Sequence, residues 1–223
     1  MKLNVVFLLL LINATTSSII HIIGDSHSFS YQINGRTDLA DLSLPPIAIH
    51  WLGPITMHRV GRDGIAFLDI RQYNVVEGDT VLFVFGEIDA RCHIGKIKDR
   101  DNRTLDDVLD ELVSHYINTL KTNKNFYQNI MVIVSGIVPP IDSVFNPQFP
   151  YYGTIEERVS ITKQLNNKLK EQCAYCGFGF IDTYTEFADA NGQLILALSE
   201  NVHIEKLHNR PLLEQLAKII SLS

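Results

Sequence analysis

The sequence predicts an α/β fold, a three-layer α/β/α sandwich around a doubly wound parallel sheet of five strands. Three observations lead there. Five short apolar, β-branched runs recur at Ile19 to Ile23, Ile47 to Leu52, Thr80 to Phe85, Ile130 to Val134 and Phe178 to Ile181. None alternates strictly between apolar and polar, which is the signature of strands covered on both faces. Helical periodicity fills the intervals, and strands alternating with helices form parallel units with right-handed crossovers.

The N-terminus reads MKLNVVFLLLLINATTSS, with one Lys before an apolar core from Val5 to Ile12 and small residues Ala14, Thr16 and Ser18 after it. This matches a signal peptide over residues 1–18. The core is too short to span a bilayer, which needs about 20 apolar residues. The alternative is a retained, buried strand of a cytoplasmic protein. Residues 19–223 then form one domain, secreted or periplasmic in the first case. Its first strand ends in Gly24-Asp25-Ser26-His27-Ser28, where turn-forming residues cut off the apolar run.

Later elements carry their own start signals. Thr104 with Asp107 resembles a capping box, and Leu105, Val108, Leu109, Leu112, Val113, Tyr116 and Leu120 follow one helix face. Thr154 with Glu157 opens a second long helix through Val159, Leu165 and Leu169, and a last helix follows Pro211. The segment from Gly136 to Gly153, with four prolines and four aromatics, has no period. It reads as a surface strap or as a loop lining a groove.

Composition narrows the partners. The net charge is -6 and the 19 Lys and Arg residues form no run, so the basic footprint of a nucleic-acid binder is missing. No segment after the N-terminus is apolar enough for stable membrane insertion. Three cysteines, Cys92, Cys173 and Cys176, make neither a disulfide framework nor a paired zinc motif. Cys173 and Cys176 read as buried apolar residues or as a local disulfide in an exported chain. The sequon Asn102-Arg103-Thr104 matters only in a secretory eukaryotic host. His50, His58, His93, His115 and His208 lack metal spacing, so no metal and no organic cofactor is expected.

A serine hydroxyl attacks only when a base takes its proton, so Ser26 needs an imidazole and a group that orients it. His203 fits best: it sits in a polar turn before the last helix, with Glu200 three residues upstream. His27, beside the serine, is expected to point elsewhere. Asp25 and Asp182 read as caps, and Arg36, Arg59 and Arg62 as surface residues or contacts for an anionic substrate.

These residues resemble the SGNH hydrolases, also called GDSL esterases and lipases, in four blocks in the right order across nearly the whole mature chain. The blocks are Gly24-Asp25-Ser26, a glycine after the second strand, Gly86-Glu87-Ile88-Asp89 in place of Gly-x-Asn-Asp, and Glu200-x-x-His203 in place of Asp-x-x-His. For the second block Gly61 is preferred over Gly53. The resemblance implies a flavodoxin-like sheet, Ser26 as nucleophile, His203 as base and Glu200 as its orienting carboxylate. It also implies an oxyanion hole from the amides of Ser26 and Gly61, and a substrate-binding loop with Gly86, Glu87 and Asp89. Two blocks depart from the pattern. Glu200 is one methylene longer than Asp, and Ile88 cannot donate the hydrogen bond of the family's asparagine. Loss of one such donor costs about 10²–10³ in rate elsewhere. Arg91 is the expected substitute.

The implied activity is hydrolysis of a small acyl ester, with O-acetyl on a carbohydrate suiting an exported member. The alternative is an SGNH-fold acyltransferase or a non-hydrolytic carbohydrate-binding protein, for which Ile88 speaks.

Overall fold

The computed structural model describes residues 18–33, 35–142 and 149–222. The expected signal peptide lies outside them except for Ser18. Five parallel strands, β1 (Ile20–Gly24), β2 (Ile47–Trp51), β3 (Thr80–Val84), β4 (Met131–Ser135) and β5 (Gly179–Ile181), form one sheet in the order β2-β1-β3-β4-β5. All five expected runs are strands, with ends that agree or differ by one residue.

Successive side chains on a strand face opposite ways, and the core divides accordingly. Ile23, Phe83 and Val134 join one apolar cluster with Val60, Leu109, Leu120 and Leu165. These come from α1 (Met57–Asp63), α3 (Leu105–Lys124) and α4 (Ile155–Cys176). Ile22, Leu82 and Ile133 join a second cluster with Phe187 of α5 (Thr183–Phe187) and Leu212, Leu213 and Leu216 of α6 (Arg210–Ser221). The sheet is therefore sandwiched between two helical layers; β1 and β3 are buried throughout and β4 nearly so, while the edge strands β2 and β5 are partly exposed.

The start signals act as expected. Thr104 Oγ1 accepts from the Asp107 amide at 3.1 Å. Thr154 and Glu157 make a complete capping box. Asp182 caps α5 by accepting from the Thr185 amide at 3.0 Å. Three elements were not anticipated: the short helix α1, α2 (Ile94–Arg100) with the π-helical turn Asp89–His93 before it, and the hairpin of β6 (Ser199–Glu200) and β7 (His203–Ile204).

All three cysteines are free, with Cys173 fully buried in α4, where burial pushes its thiol up to about 12. Asn102 lies in an exposed left-handed turn. No described helix is long and apolar enough to cross a membrane.

Candidate active site

The parallel register brings three segments to one level. Gly24 pairs with Trp51 on β2 and with Val84 on β3. Ser26, Gly53 and Gly86 each follow two residues after these paired positions, in the loops at the carboxyl ends of the strands where doubly wound sheets bind ligands.

Ser26 opens a 3-10 helix, Ser26–Tyr31, capped by Asp25, whose carboxylate accepts from the His27 amide at 2.8 Å. The cap turns the chain sharply out of the sheet and leaves the Ser26 amide without a partner among the described residues. His203 meets the serine from the far end of the chain: its Nε2 is 2.8 Å from Ser26 Oγ. The two-residue β6–β7 turn, with Asn201 left-handed at φ 56, holds His203 opposite Glu200.

Glu200, the expected orienting carboxylate, does not turn its side chain to the ring. The Glu200 side chain is exposed and makes no ion pair with His203 among the described residues; its main-chain carbonyl instead favours the protonated ring. A carbonyl accepts only from N–H, so a ring nitrogen turned toward Glu200 must carry its proton to pair with it, the tautomer in which Nε2 is free to accept from Ser26.

His27, expected to point elsewhere, is stacked on His203, with ring centroids 4.5 Å apart at 33°. Its Nε2 lies 3.7 Å from Glu87 Oε2, and Glu87 in turn receives Arg91 Nε at 2.6 Å. The charges fix one another. Burial works against charge on His27, but Glu87 and Asp25 outweigh it and hold the imidazole above the ordinary histidine range. Burial would likewise raise Glu87, yet His27 and Arg91 hold its carboxyl down at about 2. Burial pushes Asp25 up to about 6. His203 is pulled down to about 4, first by desolvation and then by the neighbouring His27.

Other expected site residues have different surroundings. Gly61 lies inside α1, where a Cβ would sit 2.9 Å from the Cβ of His115 on α3. Its glycine serves close helix packing, and its amide belongs to the helix ladder. Gly53, two residues past the end of β2, has a φ of +85 that suits glycine and an N–H with no described partner. Arg91 binds Glu87 and donates Nη1 to the Pro150 carbonyl, so its guanidinium is engaged away from an oxyanion role. Asp89 is buried and takes the Met57 and His58 amides at 2.6 and 3.2 Å, capping α1, with burial pushing its carboxyl up to about 7. Gly86 is wedged between Met57 and Ile137. Glu87 lines a cavity beside Asp25 and His27, while Gly86 and Asp89 are taken up by packing and by capping of α1. Ile88 begins the π-helical turn and offers no polar atom.

From the aperiodic segment, residues 143–148 lie outside the description, but Phe149 stands edge-on to His203 at 6.0 Å and lies 5.9 Å from the Arg91 guanidinium. That end of the segment borders the site, as the groove reading expected.

No known family model matches the sequence, and no curated protein matches it. Solved structures do. A carbohydrate acetylesterase, Est24 of Sinorhizobium meliloti, superposes with TM-score 0.58 at 15% identity over 92% of this chain and 99% of its own. The fold is that of the GDSL, or SGNH, hydrolases. An acetylxylan esterase, Axe2 of Geobacillus stearothermophilus, gives 0.56 at 16% over 91% and 94%, and a GDSL-like lipase of Bacteroides thetaiotaomicron gives 0.57 at 12% over 92% and 89%. The SGNH fold thus spans the described sheet and both helical layers, with Ser26 at the end of the first strand.

Proposed function

We propose that this chain is a serine ester hydrolase that removes a small acyl group, with Ser26 as nucleophile and His203 as general base. One observation carries the reading: Ser26 Oγ and the half-buried His203 imidazole are 2.8 Å apart at the carboxyl rim of the sheet. As Oγ bonds to the acyl carbon, its proton passes to Nε2. The tetrahedral adduct collapses, the alcohol leaves with that proton, and water then attacks the acyl-serine by the same exchange to release the acid. The amides of Ser26 and Gly53 are the oxyanion donors in this scheme. The Glu200 carbonyl orients His203, and the Glu87 carboxylate balances the charges of His27 and Arg91.

The printed names of two structural neighbours, an acetylxylan esterase and a carbohydrate acetylesterase, support an O-acetylated carbohydrate as substrate class. The apolar core at residues 5–12 supports export; sequencing the N-terminus of protein recovered outside the cell tests it, since an intact Met1 there rules cleavage out. Ile88 favours a second reading, an acyltransferase or a non-hydrolytic carbohydrate binder.

Hydrolysis of vinyl acetate by wild type and Ser26→Ala separates the two. The variant is expected to lose at least about 10³-fold. Equal rates would remove hydrolysis at this serine.

A further inference from the structure

Residues i and i+3 of a 3-10 helix eclipse one another, so Phe29 lies one turn beyond Ser26 on the same face. Its ring is packed at 6.0 Å and 48° against Trp51, the last residue of β2. Trp51 is the only tryptophan in the chain, and 57% of it is exposed. Lys206, three residues after His203, holds its ammonium 5.7 Å from the Phe29 ring while donating to Gln32 Oε1 at 2.7 Å. The other large exposed aromatics among the described residues are Phe126, which precedes β4, and Tyr175, which precedes β5, so both lie at the opposite rim.

At the rim an exposed Trp51 thus stands against a half-buried Phe29, an apolar shelf of the kind that natural surfaces keep mainly where something binds. This shelf is contiguous with the nucleophile and is edged by a lysine and a glutamine. A fatty acyl chain needs an enclosed apolar channel, which an open shelf does not offer. A pyranose ring matches it: its C–H face carries partial positive charge toward the negative aromatic face, while its hydroxyls reach polar groups at the edge.

We propose that Trp51 and Phe29 form the subsite for the sugar ring of the ester's alcohol portion, setting a bound glycoside so that an O-acyl group reaches Ser26. The inference rests on the hydrolase reading for its chemistry but not for its binding.

Two measurements separate those dependences. In Ser26→Ala, where no turnover occurs, Trp51 is the sole source of tryptophan fluorescence. Xylotriose or cellotriose is expected to change that emission saturably. In otherwise wild-type protein, the ratio of kcat/KM for O-acetylated xylotriose to that for vinyl acetate is expected to fall about fivefold to tenfold in both Trp51→Ala and Phe29→Ala, as befits loss of one aromatic contact. An unchanged emission with both sugars overturns the subsite, and so does an unchanged ratio in both variants, even if emission responds. Failure of vinyl acetate hydrolysis in wild type would instead count against the hydrolase reading alone, because the fluorescence titration does not depend on it.

Discussion

The rings of His27 and His203 are stacked 4.5 Å apart, and Glu87 stands behind His27 with an oxygen 3.7 Å from its Nε2. In the proposed mechanism the base therefore stacks on a second, buried imidazole backed by Glu87, rather than on a carboxylate of its own. A neighbouring positive charge disfavours the imidazolium form of His203, and the Glu87 charge limits that penalty.

The first prediction concerns pH. With His203 held at about 4, its neutral form is already dominant well below the ordinary histidine value of about 6.5. The acid limb of kcat/KM should rise as pH increases through about 4 and then stay level to pH 8. Removing the neighbouring charge in His27→Ala should move that limb upward. A wild-type limb near 6.5, or one unmoved by the substitution, contradicts the arrangement.

Glu200→Ala tests the main-chain orienter. Loss of a triad carboxylate's orientation costs about 10⁴ in kcat where it acts through its side chain. Here the exposed carboxylate is dispensable, and less than about tenfold loss is expected, because the carbonyl at position 200 remains. A loss of three decades in kcat with unchanged stability would return the role to the side chain.

Arg91→Ala should be felt in stability. Both members of the Arg91–Glu87 pair are nearly buried, with 11% of each side chain exposed. Removing one partner of such a pair costs about 3 kcal/mol. Urea denaturation gives the number. A change under about 0.5 kcal/mol, the range of ordinary surface substitutions, would show the pair to be inconsequential.

Asp89 fastens α1 to the loop after β3. Replacement by Ala leaves two amides at the start of the helix without their acceptor, an expected cost of about 2 kcal/mol. Asp89→Asn keeps an acceptor oxygen and should recover at least half of it. Equal midpoints for the two variants would deny the cap.

Much of this was legible in the residues themselves. Runs such as Thr80 to Phe85 announce strands covered on both sides, because no polar residue interrupts the apolar ones. The pairing of Ser26 with His203 followed from the turn at each position. The surroundings of Gly61 and Gly53 were not legible in the same way, because they depend on tertiary packing: Gly61 lies inside a short helix against His115, whereas Gly53 follows the strand that pairs with β1. The helix α1 escaped notice for a related reason. It is short, and it is fixed by a carboxylate 32 residues from its first amide rather than by a local signal beyond Thr56. His27 was misplaced because adjacency in sequence says nothing about a partner 176 residues away, and the 3-10 turn that aims it inward depends on the Asp25 cap.

The account stands on activation of the Ser26 hydroxyl by His203. Mass spectrometry after exposure to an alkyl fluorophosphonate reads it directly. One adduct on the peptide carrying Ser26 is expected in wild type, none in Ser26→Ala, and labelling slowed by at least about 10²-fold in His203→Ala, the scale of a lost general base. An adduct elsewhere, or labelling at Ser26 that does not depend on His203, would contradict it.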